Sequence, residues 1–130
     1  MKNGHLFIAD VEGKGRGVFT DIPIDTDTVI EVAPVIVMSA ADRILLDQTL
    51  LHDYIFEWQP DGQELCCMAL GWVPIYNHSN YSNCEYVMNY DTSTIVITTM
   101  RNIAAGEELT INYTGDWDSQ TPVWFEMKGE

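Results

Sequence analysis

Most apolar residues of this chain fall in short runs of β-type residues separated by turn residues. The runs are "HLFIA" (5–9), "GVFT" (17–20), "TVIEVAPVIVM" (28–38, interrupted by Pro34), "ELCCMAL" (64–70), "CEYVMNY" (84–90), "TIVITTM" (94–100) and "ELTINY" (108–113). Their enrichment in Val, Ile, Thr and Tyr predicts strands. "QPDGQ" (59–63) reads as a tight turn, and "YDTST" (90–94) can close a hairpin between its flanking strands. One segment breaks the pattern. "SAADRILLDQTLLHDYIF" (39–56) starts with Ser39 in an N-cap position, and Ile44, Leu45, Leu51 and Ile55 recur at near-helical spacing. It predicts one helix, or two short ones, packed on the strands. The expected fold class is mostly β with a short helical insertion.

The chain has 130 residues and no internal repeat, low-complexity segment or Pro/Gly/Ser-rich linker, so a single domain over 1–130 is expected. Hydrophobic residues make up 46% of it, enough for a core and too many for global disorder. No apolar run reaches the roughly 18 residues that a membrane span requires. The opening "MKNGHLFIADVEGKG" carries too many polar interruptions for a secretory signal. The expectation is a soluble, intracellular protein, cytoplasmic or, if it comes from a virus or pathogen, delivered to a host nucleus. The cysteines agree with a reducing compartment: Cys66 and Cys67 are neighbours, Cys84 is distant, and there is no CxxC. His5, His52 and His78 are not spaced for a shared metal, so none is expected.

Charge narrows the partners. Twenty Asp and Glu against six Lys and Arg give a formal net charge of −14. That surface repels a phosphate backbone, which argues against direct nucleic-acid binding, and nothing points to a membrane partner. It would draw in a cationic partner, and a lysine-rich peptide is the simplest one. Acidity that merely keeps the chain soluble explains the same number.

Three stretches could carry chemistry. In "EGKGRGVF" (12–19), Gly13, Gly15 and Gly17 alternate ahead of an apolar run, which lets a backbone approach a ligand closely. Position 20 is Thr and a strand follows, so a phosphate-binding glycine motif is not supported. Lys14 and Arg16 concentrate two of the six Lys and Arg in this loop and suit a carboxylate-bearing ligand. In "YNHSNYSNCEY" (76–86), three asparagines, two serines and a histidine crowd residues 77–84. A Ser–His hydrolase would need an elbow that is missing, and Cys84 as a nucleophile is equally unsupported. In "NIAAGEELTINYTGDW" (102–117), a turn leads into a strand that ends at Tyr113, whose hydroxyl could enter a pocket.

The order of these pieces says more than any one of them. "KGRGVF" (14–19), "NHSNYSN" (77–83) and "GEELTINY" (106–113) together resemble the SET-domain protein lysine methyltransferases. The resemblance spans roughly residues 4–117, leaving 118–130 as a tail that could cap the domain. "DYIF" (53–56) is similar to the family's aromatic segment before the NHS box. The absence of cysteine-rich flanks is similar to minimal viral and bacterial members. Two departures stand in the box: Asn80 and Ser82 occupy positions where relatives carry Cys and Pro, while Asn83 is kept.

The resemblance implies a β-clip, SET-like fold with a C-terminal pseudoknot, in which 106–117 passes under the loop 77–83. It implies S-adenosylmethionine as methyl donor, S-adenosylhomocysteine as product and no metal. Lys14, Gly15, Arg16, Gly17, Asn77, His78, Tyr113 and Trp117 would bind that cofactor, with Trp124 or Phe125 as other candidates to stack on adenine. Tyr113 would be the catalytic residue, and Tyr54, Tyr86 and Ile111 would line the lysine channel. The implied substrate is a basic, histone-like protein, and a homodimer is compatible with the resemblance. A catalytically silent SET-like module that binds basic peptides is the first rival, and methyl transfer to a small amine the second.

Overall fold

The computed structural model describes residues 4–113. In chain order the strands are β1 (Leu6–Val11), β2 (Gly15–Thr20), β3 (Val29–Met38), β4 (Phe56–Trp58), β5 (Leu65–Ala69), β6 (Asn77–His78), β7 (Cys84–Asn89), β8 (Thr94–Thr99) and β9 (Glu108–Ile111). Helix α1 (Ala40–Leu46) follows β3. The strands form two sheets, ordered β1-β2-β9-β6 and β4-β5-β3-β8-β7. All pairings are antiparallel except β6 with β9.

Each expected β run therefore contains a strand, and the 90–94 turn closes the β7–β8 hairpin, with Asn89 opposite Thr94. Pro34 does not interrupt β3, for a simple reason. Residues Val29–Pro34 pair with β8 and Val35–Met38 pair with β5, so proline sits where the strand changes neighbours. Its missing N–H costs little there, and its carbonyl still accepts the Leu70 N–H at 2.9 Å.

The helical insertion departs from expectation in packing. Ser39 caps α1 as expected: its hydroxyl accepts the Asp42 N–H, and Asp42 accepts the Ser39 N–H, both at 3.1 Å. The second helical piece is a 3₁₀ turn, Leu50–Asp53, capped by Thr49. Neither piece buries a residue: Ile44 is 65% exposed, Leu45 66% and Leu50 75%. Seven residues make only two turns, and caps plus the Arg43 pairs with Asp47 (3.8 Å) and Glu57 (3.6 Å) hold them instead. No helix among the described residues is long and apolar enough to cross a membrane.

The core lies where the sheets meet, with Val18, Ile30, Val73, Tyr76, Ile95, Ile97, Leu109 and Ile111 almost wholly withdrawn from water. Each such aliphatic side chain contributes about 1.5–3 kcal/mol. The sequence-distant segments 77–83 and 108–113 are joined by polar groups. Asn83 Oδ1 accepts the Thr110 N–H, and its Nδ2 donates to the Glu108 carbonyl, each at 2.8 Å. A side-chain amide thus does the work of a neighbouring strand's peptide. The Ser79 N–H adds a bond to the Ile111 carbonyl at 3.0 Å. Glu107 completes the seam by accepting from Asn83 Nδ2 (2.9 Å) and the Ala104 N–H (2.9 Å).

Two predictions follow from this packing. Asn83→Ala removes the partner of two peptide groups and is expected to destabilise the fold by about 2–3 kcal/mol in urea unfolding. The second concerns alkaline pH. Burial pushes the thiols of Cys67 and Cys84 and the phenol of Tyr86 up to about 12. Unfolded, they titrate near 9.0 and 10.0, so the stability tied to their neutral forms is complete below pH 9. It is lost as pH rises through 12, because the unfolded chain then holds fewer protons. Urea midpoints under reducing conditions should fall steadily from about pH 9 upward; a flat profile to about pH 11 would contradict the burial.

Candidate functional site

A cavity of about 990 Å³ opens where the glycine loop, the 3₁₀ turn with β4, and the seam come together. Its wall includes Gly13–Arg16, His52–Glu57, Val73–Ile75, Asn77, His78, Tyr86 and Tyr113. Of the residues that the sequence singles out, Lys14, Gly15, Arg16, Asn77, His78, Tyr54, Tyr86 and Tyr113 meet on this one surface. Trp117, Trp124 and Phe125 lie outside the described residues.

Tyr113 is held on several sides. Its hydroxyl donates to the Tyr76 carbonyl at 2.7 Å, and its N–H donates to His78 Nδ1 at 3.0 Å. Its own carbonyl accepts the Tyr86 hydroxyl at 3.1 Å. The Tyr86 ring meets Phe56 edge-on at 5.1 Å, which fixes the second phenol from the side. Burial raises the Tyr113 pKa first, and Tyr54, Glu108 and Asp53 add to it. Both phenols therefore keep their protons at neutral pH.

His78 is committed as well. Because Nδ1 accepts from the Tyr113 amide, the ring proton sits on Nε2, which faces Asn80 Oδ1 at 3.0 Å. Both nitrogens serve the protein, so a ligand would meet the ring face or the backbone. Asn80 thereby gains a structural role. Asn77 donates from Nδ2 to the Arg16 carbonyl (3.0 Å) and to Glu108 Oε2 (2.7 Å). Its Oδ1 makes no hydrogen bond among the described residues and remains an acceptor for a ligand.

Two expected site residues sit elsewhere. Ile111 is fully buried in the core and does not line the cavity. Strand alternation puts Leu109 and Ile111 on the inward face of β9, and the strand ends at Ile111, so Tyr113 is free to turn toward the cavity. Gly17 is also off the cavity wall, and its role is close approach: an added Cβ would strike the Glu108 carboxylate and lie 2.9 Å from Asn77 Nδ2. Gly17 makes room for the amide that links the glycine loop to the seam.

Other contributors escaped the sequence reading. Tyr76 supplies the carbonyl for Tyr113, Phe56 supports Tyr86, and Asp53 and Glu57 bring carboxylates to the wall. Tyr76, the residue bounding the box, and Asp53 and Phe56, which bound "DYIF", had a visible signal; Glu57 had none. Among the described residues no group of three or more His, Cys, Asp and Glu is arranged to hold a metal.

Comparison with known proteins bears on this arrangement directly. Residues 15–114 match the SET domain, a span that takes in the glycine loop from Gly15 onward, the box and Tyr113. The chain belongs to the SET-domain family of protein-lysine N-methyltransferases. It is 37% identical over 122 residues to the histone-lysine N-methyltransferase, H3 lysine-37 specific, of Schizosaccharomyces pombe, covering 93% of this chain and 77% of that one. A crystal structure of a candidate histone methyltransferase of Plasmodium falciparum shares the SET fold at a TM-score of 0.64 and 23% identity. That match covers 92% of this chain and 99% of the other.

Gly17→Ala is expected to cost the SET domain on the order of 1–3 kcal/mol by overpacking the Asn77–Glu108 contact. Glu12→Ala, exposed on the same loop, should stay within about 0.5 kcal/mol of wild type. Differential scanning calorimetry of the pair checks it, and equal midpoints would refute the close approach.

Proposed function

We propose that this SET domain transfers methyl groups from S-adenosylmethionine to the side-chain amine of lysine in a basic, histone-like protein, with histone H3 as the first substrate to test. The observation that carries the reading is the direction of two hydrogen bonds. Tyr113 and Tyr86 each spend their single hydroxyl proton on a backbone carbonyl. What remains to each phenol oxygen is lone pairs, so both act toward a ligand as acceptors. An amine or ammonium is the ligand such a pair suits.

The residues present also fit the methyl donor. Lys14 and Arg16 would meet its carboxylate, Asn77 Oδ1 its ammonium, and the backbone at Gly15 would allow close approach. Gly17 would act from behind, by seating Asn77. When bound, S-adenosylmethionine supplies a methyl carbon already activated by its sulfonium, so alignment is the main task left to the chain.

The same wall accounts for lysine. A free lysine amine has a pKa of about 10.4 and is almost wholly protonated at pH 7. Asp53 and Glu57 would draw that cation to the cavity, in keeping with the net charge of −14. Deeper in, burial against Ile55 and Phe56 disfavours the charged form and helps release the proton. Tyr113 oxygen would then accept an amine N–H and turn the nitrogen lone pair away from itself, toward the methyl carbon. It serves as an orienting acceptor, and its raised pKa keeps it protonated.

Incubation with labelled S-adenosylmethionine and histone H3 should add methyl groups to lysine, read by mass spectrometry. Tyr113→Phe should lower the rate roughly 10²-fold, within the range for losing one positioned catalytic group. Peptide binding without any incorporation would instead support a silent module, and competition by free lysine equal to that by the protein would support a small-amine substrate. Asp53→Asn with Glu57→Gln is expected to raise KM for the basic substrate several-fold, an effect that shrinks as salt approaches about 1 M.

A further inference from the structure

Glu31 of β3 is a carboxylate inside the core, 2% exposed. A charge that far from water persists only when its oxygens are hydrogen-bonded. Oε2 accepts the Trp72 N–H at 2.8 Å, and Oε1 accepts the Tyr76 hydroxyl at 2.9 Å. These donors bracket an arch whose middle is the 3₁₀ turn Val73–Ile75. Gly71 leads into the arch at φ 70°, and a Cβ there would run into Glu31 Oε2. Tyr76 itself is fully buried, and burial, the Glu31 charge and their hydrogen bond all raise its pKa, so it stays a donor.

The arch ends on the carbonyl that receives the Tyr113 hydroxyl proton at 2.7 Å, immediately before Asn77 and His78. We infer that Glu31 is a positioning residue for Tyr113: by gripping Trp72 and Tyr76 it fixes the Tyr76 carbonyl, and through that carbonyl the direction of the Tyr113 lone pairs. The inference rests on reading Tyr113 as the acceptor for the target amine. Glu31 does not line the cavity and reaches the reaction only through the arch. A glutamine would keep its shape but turn an NH₂ group toward one of the two donors.

The test is a kinetic cycle joined to a spectroscopic readout. Glu31→Gln, and Tyr76→Phe as the milder variant should glutamine impair folding, are expected to lower kcat roughly tenfold while KM stays within about twofold. In a Tyr113→Phe background, under single-turnover conditions, the same changes should have no further effect. With 3-fluorotyrosine incorporated, Glu31→Gln or Tyr76→Phe should shift the fluorine resonance of Tyr113 and leave exposed Tyr81 unmoved. An unshifted Tyr113 resonance, or an equal loss of kcat with and without the Tyr113 hydroxyl, overturns the inference. Absence of transfer by wild type would sink the functional reading instead, and the fluorine shift would still report on the arch.

Discussion

The side-chain amide of Asn83 is the joint on which this molecule turns. It meets the Glu108 carbonyl and the Thr110 N–H as a strand would, and so ties the box 77–83 to the segment that ends in Tyr113. Without that bond β9 would rest against β2, the Ser79 N–H and the two residues of β6, which pair with only Thr110 and Ile111. The crossing of two distant segments brings Tyr113 beside the glycine loop. Stability and site geometry therefore draw on the same few hydrogen bonds.

Polarity inside the cavity follows from where protons are already spent. The phenols of Tyr113 and Tyr86 give theirs to carbonyls, and the His78 ring gives and accepts within the protein. These groups are held in one orientation before any ligand arrives, so a ligand would ask little reorganisation of them. The layers behind them repeat the device: Phe56 supports Tyr86, and Glu31 holds Tyr76, which in turn holds Tyr113.

Much of this was legible from the chain alone because its signals are local. Each β run contains a strand, Ser39 caps α1, and residues of the three motifs share one cavity. What was not legible depends on tertiary geometry. Ile111 and Tyr113 are two residues apart, and an unbroken strand would turn both to one face; the end of β9 at Ile111 separates them. Gly17 reads as a ligand-facing glycine, yet its space is taken by Asn77 and Glu108 from elsewhere in the sequence. The helical spacing of Ile44, Leu45 and Leu51 reads as a buried face, but a seven-residue helix and a separate 3₁₀ turn, each held by its cap, leave them exposed. Glu31, in an apolar strand, gives no sign of its partners until Trp72 and Tyr76 are folded against it.

The central claim is that the glycine loop and the seam form one binding surface for a sulfonium methyl donor. Its most direct test is a titration of the isotope-labelled protein with S-adenosylhomocysteine, followed by amide NMR. The account predicts saturable shifts at residues 14–17, 77–79 and 111–113 with a common dissociation constant. Shifts confined to another surface, or no shifts in a folded protein, would contradict it.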